Sequence, residues 1–117
     1  MRFVNLTPHE ITVVKSDGDV VKIPPSGMVL RLEEEDVESW EEDGFRFVRR
    51  RFGLPQVAQT ILDSNDEDLV LIVSLPTLLS LKDHTYLRGR VAAPDTGSGA
   101  IRDEKGQVVA TTRLIML

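Results

Sequence analysis

The chain contains no cysteine and only two histidines, His9 and His84. Without cysteine it can form no disulfide bond, no thiolate zinc site and no cysteine nucleophile. A metal site would have to combine carboxylates with the two imidazoles, which lie in separate predicted loops. We therefore predict that the protein holds no metal and uses no cofactor.

Apolar runs of the roughly 20 residues that a membrane helix needs are also missing, and the first residues lack the continuous apolar stretch of a signal peptide. These absences predict a cytoplasmic protein with no membrane association. The chain has no excess of basic residues either, since its formal net charge is -5. That charge argues against general binding to the phosphate backbone of nucleic acids.

The length of 117 residues suits one hydrophobic core and is too short for two ordinary domains, so residues 1–117 are predicted to form a single domain. Short β-branched segments recur between turns rich in glycine, proline and aspartate. This pattern predicts a mainly β, β-rich α+β fold. The expected architecture is a small barrel or a curved antiparallel or mixed sheet with one or two short helices.

Strands and turns are predicted for the first part of the chain. Residues 2–6 and 11–15 are strand-forming runs separated by the loop Thr7–His9, in which Pro8 interrupts the pattern. Ser16–Asp19 supplies a glycine-containing hairpin turn. Residues 20–23 then form the returning strand.

The middle of the chain carries adjoining blocks of opposite charge. Eight of the eleven residues from Glu33 to Asp43 are acidic, and four arginines follow at positions 46, 49, 50 and 51. The acidic block is predicted to be a short helix, with Val37 and Trp40 on one face, or a mobile loop. In the next strand, Phe45 and Phe47 are predicted to belong to the core.

Apolar patterns predict several further elements. These are a half-buried strand over 28–32, a helix or turn over 56–62, a polar turn over 64–67, a strand over 69–75 and a short helix with Pro76 in its first turn. A strand is nearly as plausible over 56–62. The run LVLIVSL at 69–75 is typical of a strand covered on both faces, which places it at the centre of the sheet. In the helix, Leu78, Leu79 and Leu81 are predicted to face inward.

The C-terminal part is predicted to be extended over 87–92 and to form a hairpin after residue 101. Asp103–Gly106 is the predicted hairpin connection, because its glycine suits the left-handed position of such a loop. The strand that follows is predicted over 107–116.

Asp95-Thr96-Gly97-Ser98 matches the signature of aspartic proteases, in which two such turns share a proton. One copy could act only in a homodimer. Pro94 stands where those enzymes have a hydrophobic strand residue, and only 20 residues follow Gly97. A proline-aspartate-glycine turn is the simpler interpretation.

Two sequence motifs, one near each end of the chain, occur together. Val4–His9 reads Val-Asn-Leu-Thr-Pro-His, and Ala93–Gly97 is followed by Arg102-Asp103-Glu104 in the predicted hairpin. In these motifs the chain resembles a family of small uncharacterised proteins of bacteriophages, prophages and bacterial genomes. Residues 23–27 and 72–74 also fit, whereas 33–43 and 56–67 depart from that pattern. The resemblance implies no established activity, and its phage association implies an accessory role.

We therefore predict a binding protein that is not an enzyme. In the first hypothesis, the two terminal loops meet in one pocket and capture a small anionic ligand such as a nucleotide, through backbone amides and the side chains of Asn5, Thr7, His9, Asp95, Thr96 and Arg102. In the second, the acidic block and its neighbouring arginines bind a host protein or assemble a homo-oligomer. In the third, the protein is a homodimeric hydrolase that uses Asp95.

Overall fold

The computed structural model describes residues 1–64 and 67–117. In this part of the chain the strands are β1 (Arg2–Asn5), β2 (Ile11–Val14), β3 (Val20–Ile23), β4 (Glu33–Glu42), β5 (Phe45–Gly53), β6 (Leu69–Ile72), β7 (Val91–Pro94), β8 (Ala100–Arg102), β9 (Val108–Thr111) and β10 (Leu114–Met116). The helices are α1 (Gln56–Asp63) and α2 (Leu75–Ser80), with a 3₁₀ turn at Thr85–Leu87. The β-rich α+β class is thus confirmed.

The first sheet has the strand order β1-β6-β7-β10 and forms the middle layer. Its strands β1, β6 and β7 run parallel, and β10 is antiparallel to β7. All four residues of β6 are buried. The strand is central and covered on both faces, as its nearly unbroken apolar sequence predicted.

One face of this sheet packs against the helices. Leu71 and Val91 belong to a buried cluster that includes Ala58 and Leu62 of α1 and Leu78 of α2. In α2, Pro76 occupies the first turn as predicted, where a missing backbone N–H costs nothing. Of the three leucines expected to face inward, Leu78 and Leu81 are buried, but the prediction is wrong for Leu79, which is 58% exposed.

The other face packs against a second sheet of strand order β3-β2-β9-β8. Ile72 and Ala92 of the first sheet form a second buried cluster with Ile11 and Ile23 of the second. The predicted hairpins at Ser16–Asp19 and Asp103–Gly106 join β2 to β3 and β8 to β9. Helices, mixed sheet and mixed sheet therefore form three layers, and the barrel alternative is wrong because the two sheets stack as separate open layers.

A two-stranded ribbon, called the arm below, leaves this body at Glu33 and returns to it at Gly53. It consists of β4 and β5, which are paired from Glu33–Gly53 to Glu42–Phe45 with one shift of register at Val37. Near its base, Nε2 of His84 lies 2.8 Å from the carbonyl oxygen of Phe52. The radius of gyration is 16.6 Å, whereas a compact domain of this length would have about 13 Å. The arm accounts for this extended shape.

The helix or loop predicted for Glu33–Asp43 is wrong, because these residues form β4 and its turn. Each acidic side chain of a lone helix would repel its neighbours, whereas in the ribbon Glu35 and Asp36 lie opposite Arg51 and Arg50. The strand therefore depends on pairing with β5, a separate segment that the acidic sequence does not specify by itself.

The core position predicted for Phe45 and Phe47 is also wrong. These side chains are 67% and 43% exposed, since the ribbon that carries them lies away from both buried clusters. The two phenylalanines do lie on one face of the strand and Arg46 on the other, as the alternation predicted. Phe47 lies opposite Trp40, whereas Arg46 lies opposite Glu41. Sequence alternation reveals a strand face but not what covers that face.

The extended segment predicted over 87–92 is wrong for residues 87–90, because Leu87 ends the 3₁₀ turn and a further turn follows, in which the Arg90 N–H donates to the Leu87 carbonyl and Gly89 has a φ of 77°. Only Val91 and Ala92 of that segment are extended, in β7. The strand predicted over 69–75 ends at Ile72, and its last residue, Leu75, begins α2.

Other predictions differ in detail. Residues 28–32 form no strand. Leu30 and Leu32 are half-buried as expected, but Met28, which was predicted to share their face, is 37% exposed. This segment lies against the loop after β1, where the Leu30 N–H donates to the Leu6 carbonyl. The strand predicted over 107–116 is two strands in different sheets. Helix α1 confirms the helical alternative for 56–62. In the polar turn predicted at 64–67, Asn65 and Asp66 lie outside the described residues.

Candidate functional site

A groove opens where the three parallel strands of the first sheet end. Thr7 and His9 follow β1, Ser74 follows β6, and Thr96 follows β7, and all four residues line this groove. Because parallel strands end at the same edge of a sheet, the loops that follow them are brought together there. The N-terminal Thr-Pro-His loop and the Pro-Asp-Thr-Gly loop thus border one cavity.

The opposite wall is formed by β2 and β9 of the second sheet. These strands run parallel, and their described pairing is Val13 with Thr111. Residues that precede this pair on both strands line the groove, among them Thr12 and Val109. The two strands are therefore paired at one end of the groove. Along the rest of it no described residue pair joins them.

The groove has a volume of about 560 Å³, which lies within the range of about 300–1,000 Å³ common for small-molecule sites. Its apolar lining residues are Pro8, Ile11, Leu75, Pro76, Pro94, Val108, Val109 and Ala110. Hydroxyl groups of serine and threonine supply most of the polar lining. No lysine or arginine is found among the described residues that line it, and His9 and Glu10 are its ionisable side chains.

Asn5, at the end of β1, holds the Thr-Pro-His loop in shape. Its side-chain oxygen accepts hydrogen bonds from the backbone N–H and the hydroxyl of Thr7, at 2.9 and 2.7 Å. Its amide nitrogen donates to the carbonyls of His9 and Ile23, at 2.8 and 3.1 Å. With four partners, the buried Asn5 amide is fully engaged inside the protein.

Asp95, at the end of β7, holds the second loop in a comparable way. One carboxylate oxygen accepts the backbone N–H of Gly97 at 2.9 Å, and the other accepts that of Gly99 at 3.1 Å. The second oxygen also accepts Nε of Arg113 at 2.6 Å. The amides that were expected to hold an anionic ligand therefore bind the carboxylate of Asp95 in this structure.

The pKa of Asp95 lies below the ordinary value of an aspartate. The main cause is the hydrogen bond from Arg113, followed by the backbone N–H of Gly97; burial, with 6% of the residue exposed, acts in the opposite direction. The carboxylate is therefore charged at neutral pH and paired with a guanidinium.

The six predicted site residues divide into three that line the groove, two that brace its loops and one that lies outside it. Thr7, His9 and Thr96 line the groove. Asn5 and Asp95 brace the two loops from within, as described above. Arg102 lies outside the described lining and donates to the carbonyls of Thr96 and Gly106, at 3.1 and 2.7 Å.

Sequence reasoning missed two residues that complete the second loop. Arg113 bonds Asp95 and the hydroxyl of Ser98. The buried hydroxyl of Thr111 lies 2.8 Å from the Asp95 carbonyl and 2.9 Å from the Arg113 carbonyl. The signal available was the polar Thr111-Thr112-Arg113 interruption of an apolar segment, which also marks the break between β9 and β10.

Gly99 is required by close packing in this loop. An added Cβ would lie 2.7 Å from an Asp95 carboxylate oxygen and 2.8 Å from Cγ of Arg113. We expect Gly99→Ala to lower the free energy of unfolding by about 1–2 kcal/mol, measured by urea denaturation. Gly53→Ala is the control, because an added Cβ there meets nothing within 4 Å. Equal effects of the two substitutions would contradict this packing.

Within residues 1–64 and 67–117, no group of three or more histidine, aspartate or glutamate side chains is arranged to hold a metal ion. None of the helices formed by those residues is long and apolar enough to cross a membrane.

Comparison of the chain with protein-family models, curated proteins and solved structures gave no match.

Proposed function

We propose that this protein is a binding module of the cytoplasm that captures a small organic ligand in the groove between the Thr-Pro-His and Pro-Asp-Thr-Gly loops, without catalysing its conversion. An accessory role in phage or prophage biology is part of the proposal and is based on the sequence resemblance alone. The groove itself supports the binding role.

The observation that carries the proposal is the meeting of three loops at the carboxyl ends of β1, β6 and β7. Ligands of sheets with parallel strands commonly bind at this edge, because loops from several strands converge there on a rigid support. Here Asn5 and Asp95 fix two of those loops through buried hydrogen bonds. A braced cavity loses little conformational freedom when a ligand enters, which favours binding.

The lining indicates the chemistry of the ligand. Prolines, valines and a leucine offer an apolar trough, and threonine and serine hydroxyls offer hydrogen bonds at its border. Such a surface suits a flat, largely neutral ring system with polar edges, as in a nucleoside. The proposed anionic group, such as the phosphate of a nucleotide, would lie at the groove border beside His9 and would contribute little to affinity.

Binding can be tested by nuclear magnetic resonance titration of the isotope-labelled protein with a panel of nucleosides and their 5′-monophosphates. We expect at least one pair to shift the amide signals of the groove residues, with less than about a tenfold difference in Kd between nucleoside and nucleotide. If no member of the panel shifted these signals, the proposed ligand class would be wrong. If the nucleotides bound but the nucleosides did not, the proposal that the ring system supplies most of the affinity would be wrong.

A matched pair of valine variants tests whether the apolar wall carries the affinity. Val109 lines the groove and is 53% exposed, whereas Val20 on β3 is 59% exposed and is not among the lining residues. Loss of apolar contact should raise the Kd of Val109→Ser about fivefold to tenfold. Val20→Ser should leave the Kd unchanged, and an equal effect of both variants would argue against the groove.

A further inference from the structure

The arm is a surface without a supporting layer in this chain. Every residue of β4 is exposed, and so are the first seven residues of β5. A two-stranded ribbon is only marginally stable by itself in water. Its ion pairs contribute little, because their side chains are 43–66% exposed. The arm therefore lacks the apolar cover that strands of this length normally have.

One face of the arm is aromatic near its tip. Directly opposed residues of an antiparallel pair share a face, so Trp40 and Phe47 lie together, with Phe45 two positions earlier on β5, nearer the tip. The Trp40 and Phe47 rings stack with centroids 5.5 Å apart. Trp40, Phe45 and Phe47 are 37%, 67% and 43% exposed, respectively. We call this side the aromatic face, and it also carries Glu35, Glu38, Glu42, Arg49 and Arg51.

We propose that the aromatic face of the arm binds the same face of a second copy of this chain, with the two arms side by side and their tips at the same end. Trp40 and Phe47 of each arm would pack against Phe47 and Trp40 of the other, with Phe45 beside them, and this contact would supply the apolar cover that each arm lacks. The second copy provides a partner of the same shape, and the charges on the face determine how the two arms can be oriented.

Charge separates the possible two-fold arrangements. On the aromatic face the acids lie on β4 and the arginines on β5. Pairing through outer edges would set two acidic strands or two basic strands together. Face-to-face stacking with tips at opposite ends would place β4 over β4 and again oppose like charges. With tips at the same end, each β4 lies over the β5 of the other copy, so Glu38 faces Arg49 of the second copy.

The size of the face determines the strength of this contact. The arm is about 30 Å long and about 10 Å wide, so each copy contributes less than the roughly 800 Å² per partner of a standard interface. We therefore expect a weak, reversible dimer that forms at concentrations on the order of 100 μM. The residues of the ligand groove take no part in it, so the dimer does not depend on the proposed function.

Analytical ultracentrifugation across concentrations from micromolar to millimolar tests the association. The full chain should shift from monomer to dimer, and Phe47→Ser should raise the dimer Kd at least tenfold. The control is Val48→Ser, because Val48 is similarly exposed, at 47%, but lies on the opposite face. A monomer at all concentrations, including one that binds some other protein, would overturn the proposal, and so would equal effects of the two variants.

Charge reversal tests the orientation while keeping the aromatic residues. Arg49→Glu should weaken the dimer at least tenfold, because it opposes Glu38 both within the chain and across the interface. The double variant Glu38→Arg with Arg49→Glu restores both pairings in the proposed arrangement and should recover the wild-type Kd. Failure to recover, with the arm still folded by nuclear magnetic resonance, would contradict it.

The absence of native cysteine permits a direct distance measurement. A spin label on Glu41→Cys, near the tip and on the face opposite the aromatic residues, reports the separation of the two tips by pulsed electron resonance. Tips at the same end should give a distance below about 30 Å, because stacked sheets lie about 10 Å apart. A longer distance in a populated dimer would exclude the proposed orientation.

Discussion

Asn5→Ala is expected to lower the free energy of unfolding by about 3–4 kcal/mol, the largest effect predicted for this protein. The substitution removes four hydrogen bonds: it takes the acceptor from the Thr7 N–H and hydroxyl and one donor each from the carbonyls of His9 and Ile23. The His9 carbonyl keeps only the longer bond from the Thr7 hydroxyl, at 3.1 Å. Each buried polar group left unpaired costs about 1–3 kcal/mol, and part of that cost is recovered as the loop relaxes. Urea denaturation followed by circular dichroism measures this change.

Ser26→Ala is a suitable control for this prediction. Ser26 also bonds the backbone two residues further along, at Met28, but it does so at the surface. Water can replace an exposed bond of this type, so the expected loss is below about 0.5 kcal/mol. If Asn5→Ala were equally mild, the Thr-Pro-His loop would not depend on Asn5, and the bracing of the groove would have to be reconsidered.

Asp95→Ala is expected to lower the Tm by roughly 5–10 °C. The substitution leaves the amides of Gly97 and Gly99 without their acceptor and removes the carboxylate that Arg113 pairs with. Differential scanning calorimetry measures the shift. The exposed Asp103 offers a matched control, because it accepts the amides of Lys105 and Gln107 in the same manner. Asp103→Ala should change the Tm by much less.

The stabilisation from Asp95 should depend on pH in a defined direction. Because the folded state lowers the pKa of this carboxyl below its ordinary value of 3.8, the stabilisation is present at pH values above that value. It is lost as the pH falls through the lower folded pKa. The stability difference between the wild type and Asp95→Asn should therefore stay constant from about pH 6 to 8 and shrink in acid. A difference that grew in acid would contradict the assignment.

The same variants bear on the hydrolase hypothesis. A catalytic dyad requires a carboxyl that shares a proton with a second carboxyl, which raises one of the two pKa values. Asp95 instead bonds a guanidinium and two amides, and its pKa is lowered. We expect Asp95→Asn to be less stable than the wild type. We expect neither protein to hydrolyse peptides.

Short sequence patterns predicted the elements whose structure is determined by their own residues. The apolar run of β6, the proline in the first turn of α2 and the glycine turns between β2 and β3 and between β8 and β9 all follow from chain chemistry. The arm could not be predicted in this way. Its strand structure results from pairing β4 with the arginines of β5, and neither the acidic composition nor the spacing of Val37 and Trp40 reveals that pairing.

The candidate site shows the same division. Motif reading found the two loops, and they do border one groove. It did not find that Asn5 and Asp95 direct their polar atoms inward, because a polar residue in a loop can face either a ligand or its own backbone. It also missed Ser74 and Val109, whose positions in the groove depend on how the sheets stack.

The arm leaves and rejoins the body at two residues that face each other, since Glu33 is paired with Gly53. Their Cα atoms are therefore about 5 Å apart, whatever the length of the ribbon beyond them. Insertions or deletions of matched residue pairs can lengthen or shorten the ribbon without displacing the layers beneath. During evolution this appendage can thus diverge rapidly while the loops that border the groove stay under separate selection.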